Sequence, residues 1–408
     1  MVLLSTCIFV AMNAQKYPKI TLKPQKERSV LNFHPWIFSG AIASPVKDLV
    51  AGTVVEVFDS NNKYLATGHF NHGSIMLRIL SFEQRTIDES FWQEILDNAF
   101  DLRKGLGFGN SSETDPFRLI HGEGDLVPGL IIDIYGSTAV IQAHSDGMIA
   151  AINDISNALQ NIPGLKIDNI FNKSAETIKL HDGARHENEF LKGSLEECVV
   201  KENNHLFHIN WKEGQKTGFF LDQRENRKML SSYAKDKTVL NTFCYSGGFS
   251  IYALKAGAAQ VDSVDSSKKA MEWTDINVNL NFPQGAPHRS YTDDVFDFLK
   301  SSSTKYDIIV LDPPAFAKHL NAVDNAVIGY RNLNYEAIKR IKPGGLIFTF
   351  SCSQAIDKQL FRKTVFTAAA KTGRKVRVLH QLSQGPDHPV NLYHPEGEYL
   401  KGLVLRID

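Results

Sequence analysis

Val239-Leu-Asn-Thr-Phe-Cys-Tyr-Ser-Gly-Gly-Phe-Ser250 reads as an apolar strand, a glycine turn and the start of a helix. Gly247 and Gly248 permit positive φ and let backbone come close to a ligand. The dinucleotide fingerprint GxGxxG is absent, and no Lys or Arg flanks the turn, so phosphate cofactors fit poorly. One strand later, Val261-Asp-Ser-Val-Asp265 ends in a carboxylate. It follows the turn by about 20 residues, where a ribose diol is hydrogen-bonded in nucleotide-binding sheets. The plainer alternative for Asp265, compatible with the first, is to cap a helix starting at Ser266 or Ser267. After a further strand, Thr292-Asp-Asp-Val295 sets Asp293 or Asp294 where an adenine amine could be met.

Outward from this stretch, the chain beyond about residue 195 alternates strands and helices. Strands are expected at 238–243, 260–265, 306–312 and 345–350, with helices near 249–256, 267–280, 294–300, 325–341 and 357–371. Such alternation predicts a parallel sheet covered on both faces. The tail adds apolar strands at Arg374–Ser383 and Tyr399–Ile407, a hairpin typical of the seven-stranded methyltransferase variant of the Rossmann sheet.

In an open parallel sheet the carboxyl ends of the strands share one edge, and ligands bind there. Two further motifs reach it. Asp312-Pro-Pro-Ala-Phe316 leaves the strand Tyr306–Leu311 through Pro313 and Pro314, which can continue neither sheet nor helix and stiffen the exit. Asp312 is then held at the edge, and Phe316 offers a face on which a base could stack. The plainer alternative is an Asp satisfied by backbone amides and a Phe in the core.

Cys352 follows the strand Leu346–Phe350, between Ser351 and Ser353. A free cysteine is usually a small core residue. At a strand end facing this edge it becomes a candidate nucleophile, since the thiolate is the reactive form and a pocket can stabilise it.

A cofactor turn, a carboxylate-plus-aromatic loop and a thiol on one edge point to methyl transfer from S-adenosylmethionine to a nucleobase. Cytosine carbon 5 is a poor nucleophile. Thiolate addition at carbon 6 makes the ring an enamine whose carbon 5 can attack a methyl sulfonium, and Asp312 suits the contact to ring N3 and the exocyclic amine.

The front of the chain differs. Short strands at 20–22, 53–58, 64–68 and 75–80, with a turn at Asp59-Ser-Asn-Asn62, predict a small β-barrel or sandwich. A helical pattern over Ile87–Arg103 ends at Gly105-Leu-Gly107. Strands near 117–121, 130–134, 138–143 and 167–172, with a helix near 147–160, predict a compact α+β unit.

Lys+Arg and Asp+Glu are both 45, so net charge carries no nucleic-acid signal. Local basic faces do occur, at Lys16–Arg28 and again between residues 357 and 377. These can touch phosphate while the whole stays neutral. Cys7, Cys198, Cys244 and Cys352 lack CxxC spacing and read as reduced thiols of a cytoplasmic protein. His205 and His208 have no cysteine partners, so no metal site is expected. Met1–Val10 is apolar but too short to span a bilayer and has no basic n-region. Residues 1–11 read as an upstream extension, and no membrane segment follows.

The chain resembles the RlmI-type bacterial ribosomal RNA large-subunit methyltransferases, which act on cytosine carbon 5. The resemblance rests on His34-Pro-Trp-Ile-Phe-Ser-Gly-Ala41, Arg118-Leu-Ile-His-Gly-Glu-Gly-Asp125, Lys216-Thr-Gly-Phe-Phe-Leu-Asp-Gln-Arg224, Tyr245-Ser-Gly-Gly-Phe249, Asp312–Phe316, Phe350–Ser353 and Asp387-His-Pro389. It implies an α/β fold in which an N-terminal extension (1–16) precedes a PUA domain (17–84). A linker helix with a central α+β domain (85–194) follows, then a class I methyltransferase domain (195–408).

It further implies Cys352 as nucleophile, Asp312 at the base, and cofactor contacts around Gln223, Arg224, Tyr245, Gly247, Asp265 and Asp294. The cofactor edge also takes in Asn241, Phe243, Gly248 and Asp293. Large-subunit ribosomal RNA would be gripped by shape and backbone, with the target base unstacked, and a homodimer is compatible. The loop reads Pro-Pro-Ala where another group of RNA cytosine methyltransferases has Pro-Cys, so that group's second cysteine has no counterpart. The base that removes the carbon 5 proton is unassigned, and Cys244 reads as a packing residue. Two other readings stand: exocyclic-amine methylation with Cys352 a bystander, and a non-catalytic RNA-binding assembly factor that keeps the fold.

Overall fold

A computed structural model of the chain describes residues 17–43, 48–177, 187–317 and 322–408. The expected extension, 1–16, lies outside the described residues. Among these residues, the strands form four sheets.

The first sheet runs Lys19–Thr21, Val54–Phe58, Tyr64–Phe70, Ile75–Ser81, Trp36–Phe38. Alternation along Val54–Phe58 buries Val55 and Val57 against Ile20, Leu65 and Leu77. Trp36–Phe38 and the short helix Arg28–Leu31 were not expected from the sequence, because neither is long enough to show a hydrophobic period.

The helix Glu89–Gly105 starts where Asp88 accepts a hydrogen bond from the Phe91 amide. It packs beside a second sheet ordered Glu189–Lys192, Asn169–Asn172, Thr138–Ala143, Leu130–Tyr135, Phe117–His121. The helix expected at 147–160 is two, Asp146–Ala150 and Ile152–Gln160, broken at Ala151. The hairpin Glu197–Glu202/His205–Asn210 turns through Asn203 and Asn204, both with positive φ, as a two-residue turn of right-handed twist requires.

The fourth sheet holds the motifs. Its strands are β1 (Thr238–Thr242), β2 (Gln260–Asp265), β3 (His288–Thr292), β4 (Tyr306–Leu311), β5 (Ile341–Ser351), β6 (Val376–Leu382) and β7 (Lys401–Ile407). Their order is β3-β2-β1-β4-β5-β7-β6, all parallel except β7, which is antiparallel to both neighbours. The helices are α1 (Arg224–Ala234), α2 (Gly248–Lys255), α3 (Lys268–Asn281), α4 (Val295–Ser301), α5 (Val323–Arg340) and α6 (Lys358–Thr372). Val239, Leu240, Ile309, Val310, Ile347 and Phe348 are buried, as both faces of a covered parallel sheet demand. Strand order reverses between β1 and β4, so the carboxyl ends of β1, β4 and β5 open side by side.

Candidate active site

After β1 the backbone takes positive φ at Phe243, Tyr245 and Gly247, alternate residues that curl the chain into a concave turn. Two features hold this strained path. The Asp265 carboxylate, at the end of β2, accepts from the Tyr245 amide (3.0 Å) and the Ser267 amide (2.9 Å). The Tyr245 hydroxyl donates to the Gly218 carbonyl (2.9 Å) and accepts from the Gln215 amide (3.0 Å), fastening the turn to the Lys216–Arg224 segment. Asp265 therefore shapes the turn, while Ser267 caps α3. A Cβ on Gly247 would lie 2.9 Å from Thr274 Cγ2. Ser246 Oγ is buried in the turn without a hydrogen-bond partner among the described residues, so the turn has unused polar capacity for a nucleoside ligand.

Other residues expected on this edge have different surroundings. Asp294 caps α4, accepting from the Phe296 and Asp297 amides, and Asp293 accepts from the Asp294 amide; both remain exposed. Asn241 points into the sheet, donating to Ser250 Oγ (2.9 Å), which continues through Ser263 to His288. Phe243 is half-buried against the β4–α5 core. Cys244 is buried beside Met271 and Thr274, a packing position.

Arg224, expected at the cofactor, is engaged within the protein. Its guanidinium is 1% exposed and bonded to the Asp387 carboxylate (3.0 Å) and the Pro116 carbonyl (2.8 Å), with Glu202 at 3.5 Å. A charge so buried must be paired, and its two terminal nitrogens are engaged within the protein.

The reactive edge lies at the ends of β4 and β5. Cys352 Sγ is 3.9 Å from the Pro313 carbonyl oxygen, so the thiol rests against the Asp-Pro-Pro loop. Pro313 is buried and Pro314 exposed. Ser353 Oγ accepts from the Ala317 amide and contacts the Tyr330 hydroxyl, tying the two strand ends together. Phe316 does not stand free. Its ring packs on Tyr330 at 4.7 Å and against Gly329, because α5 brings a glycine and a tyrosine over it. It is half-buried, so its role as a stacking platform is at most partial.

Asp312 Oδ2 accepts from Gln223 Nε2 (3.0 Å), and Gln223 is held in turn by Asn226 (2.6 Å). Enclosure and the neighbouring Asp222 carboxylate push Asp312 up to about 7. Enclosure, then Asp312 and Asp222, push the Cys352 thiol up to about 12, while Lys401 pulls it back. The Tyr399 hydroxyl donates to Asp222 Oδ2 (2.6 Å), and Asp222 Oδ1 is buried without a partner among the described residues.

Asp312 gives a stability test. Its folded value, about 7, lies above the ordinary carboxylate value of about 4. The protonated side chain therefore supports the fold fully below pH 4, and this support is lost as pH rises through 7. Asp312→Asn cannot ionise. It is expected to match the wild type at pH 4 and to melt about 2–4 °C higher at pH 8; equal melting at both values in calorimetry would show that Asp312 is solvated.

Behind the edge the motifs are joined by polar contacts, one group half-buried around Trp36 and another buried around Asp387. The Trp36 indole N–H donates to Glu123 (2.9 Å), and the Trp36 ring meets His394 at 4.3 Å. Arg103 pairs with Asp125 and donates to the Asp387 carbonyl (2.8 Å). Arg118 pairs with Asp133 through two 2.8 Å bonds, while its amide donates to the Asp387 carboxylate (3.0 Å). Asp133 also accepts from Thr217 (2.6 Å), and Glu202 binds Arg227 and Tyr252. Asp222, Tyr399, Lys401 and the pivot Asp387 had no assigned role from sequence. Asp222 and Asp387 lie inside motifs already singled out, whereas Lys401 is marked only as a charge at the head of an apolar strand. Among the described residues, no group of His, Cys, Asp or Glu could hold a metal ion, and no helix is long and apolar enough to cross a membrane.

A glycine turn on a seven-stranded sheet with one antiparallel strand, with a carboxyl and a thiol at the next two strand ends, is the arrangement of an S-adenosylmethionine-dependent methyltransferase. Residues 179–403 match the family model described as S-adenosylmethionine-dependent methyltransferase, and residues 20–82 match a PUA-like domain. A curated relative from Pseudoalteromonas atlantica, ribosomal RNA large subunit methyltransferase I, is 37% identical over 395 residues, covering 95% of this chain and 99% of that protein. The protein of the same name from Klebsiella pneumoniae is 35% identical over 404 residues, with 97% and 100% coverage. The chain belongs to the ribosomal RNA large subunit methyltransferase I family. Its fold is shared by a SAM-dependent methyltransferase from Streptococcus mutans (TM-score 0.81, 23% identity, 95% and 100% coverage). It is also shared by a methyltransferase solved with SAH (TM-score 0.83, 24% identity, 95% and 100% coverage). The expected family and fold class agree with these findings.

Proposed function

We propose that this protein methylates carbon 5 of a cytosine in large-subunit (23S) ribosomal RNA through a covalent bond between Cys352 and ring carbon 6. One observation carries the reading: the Cys352 thiol rests against the Asp312-Pro313 loop at adjacent strand ends, beside the turn that suits a nucleoside cofactor. The bound S-adenosylmethionine supplies an electrophilic methyl group.

The chain's own residues do the rest. Gly247 and Gly248 let backbone approach the cofactor, Asp265 serves its ribose, and Asp293 or Asp294 lies toward its adenine. Gln223 fixes the Asp312 rotamer, so that a carboxyl poised near neutrality can donate to ring N3 and accept from the exocyclic amine. The sulfur lone pair forms the bond to carbon 6, carbon 5 takes the methyl group, and loss of the carbon 5 proton expels the thiolate. The PUA-like sheet and the central unit would hold the RNA, and the same reading places the protein in the cytoplasm, with a homodimer as its assembly.

The test is methylation of 23S ribosomal RNA by the purified protein, followed by nucleoside mass spectrometry. 5-Methylcytidine is the expected product. N4-Methylcytidine would overturn the thiol route, and no incorporation at all would revive the non-catalytic reading.

A further inference from the structure

We propose that Lys401 is the cation that stabilises the Cys352 thiolate as it forms, a positioning residue for the reactive sulfur; this rests on the reading of Cys352 as nucleophile. The geometry begins with register. Lys401 opens β7 and sits directly across from Ser351, the residue before Cys352. Its ammonium donates to the Ser353 carbonyl (2.7 Å), the residue after Cys352, and to the Tyr399 carbonyl (2.6 Å). Lys401 therefore meets both neighbours of Cys352, Ser351 through strand register and Ser353 through its ammonium. It is 4% exposed, so its charge has been drawn out of water at this one place. An ammonium hooked to two carbonyls still lacks an anion, and no ion pair to Lys401 forms among the described residues.

The surroundings of the pair are explicit. Facing Cys352 are Asp312 from the β4 end, Asp222 from the turn before α1, Tyr330 from α5 and Lys401 from β7. Facing Lys401 are Cys352, Asp357, Glu398 and Lys358, the last two paired with each other. Both acids near the sulfur oppose its ionisation, and Lys401 alone among these favours it. Burial lowers Lys401 to about 8, so it is mostly protonated at neutral pH.

A balanced step follows. The Cys352 S–H bond breaks and its proton passes to the ionised Asp312 carboxylate. The electron pair stays on sulfur beside the Lys401 ammonium, and Asp312 becomes the neutral acid that ring N3 needs. Net charge is unchanged, and one transfer readies both partners. The sulfur then bonds carbon 6.

The experiment follows alkylation of Cys352 by iodoacetamide against pH in the full-length protein without RNA, read by mass spectrometry of the Cys352 peptide. Lys401→Met is expected to raise the midpoint by about one unit and slow alkylation at pH 7.5 by about tenfold. Lys401→Arg, which keeps the charge, is expected to hold the wild-type midpoint. Asp312→Asn is expected to lower it. A Lys401→Met midpoint equal to the wild type overturns the proposal, as does a Lys401→Arg midpoint shifted as far as that of Lys401→Met. If Lys401→Met fails to fold by circular dichroism, Lys401→Gln takes its place under the same criteria. Absence of a covalent adduct with 5-fluorocytosine RNA would remove the nucleophile reading while leaving this titration to stand by itself.

Discussion

Cys352→Ala is expected to abolish methyl transfer to ribosomal RNA, by at least about 10³-fold in turnover, while leaving S-adenosylmethionine affinity unchanged. The two effects separate because the sulfur lies at the β5 end against the Pro313 carbonyl, whereas the cofactor turn is built by Phe243–Gly248 and Asp265. On the proposed mechanism, losing the thiol removes the route by which carbon 5 becomes electron-rich enough to attack a methyl group. A second readout uses RNA containing 5-fluorocytosine, where fluorine replaces the proton that must leave. The wild type should then stay covalently bound to the RNA through a denaturing gel, and Cys352→Ala should not. Full turnover by Cys352→Ala would end the thiol mechanism and favour attack by the exocyclic amine held at Asp312.

Asp387→Ala is expected to cost about 3–5 kcal/mol in folding stability, with the fall measured by urea unfolding at pH 7. Its carboxylate receives the Arg224 guanidinium and the Arg118 amide and contacts His388, all at 3.0 Å. Removing it strands a guanidinium that is 1% exposed, whose remaining carboxylate neighbour is shared with Arg227. Arg224 and its neighbours hold the Asp387 carboxyl far below the usual carboxylate range. Its contribution is thus fully present above about pH 4, the unfolded value, and declines below it. The gap between wild type and variant should accordingly narrow under acid. Asp387→Leu combined with Arg224→Met should recover part of the loss, since an apolar pair leaves no buried charge uncompensated. A cost below about 1 kcal/mol for Asp387→Ala would mean that water reaches this junction.

The catalytic sheet was legible because its strands are buried on both faces and end in motifs that break pattern abruptly: a glycine pair, a proline pair and a thiol between serines. The same logic fails where an element is too short for a period, as with Trp36–Phe38. It fails too where a polar residue's partner lies far along the chain. The family resemblance implies Arg224 as a cofactor contact, and nothing local shows that its partner Asp387 is 163 residues away. Phe316 was visible as an aromatic at the edge, but nothing local announces that Gly329 leaves room for it to fold onto Tyr330. Lys401 was hidden for the opposite reason. A lysine at a strand start is ordinarily solvated, and only the insertion of β7 between β5 and β6 carries it to the strand end that precedes Cys352.

The bond from Trp36 to Glu123 and the contact of the same ring with His394 bear on how such a chain can be inherited or rebuilt. Modular proteins exchange their recognition heads freely, since few side chains cross the seam. Here the seam is crossed by hydrogen bonds from Arg103 to the Asp387 carbonyl and from the Arg118 amide to the Asp387 carboxylate, so an excised C-terminal half would lose two partners of one buried residue. Recombination is therefore expected to move all three units together, and a foreign head would have to supply an indole in the place of Trp36 to meet Glu123 and His394.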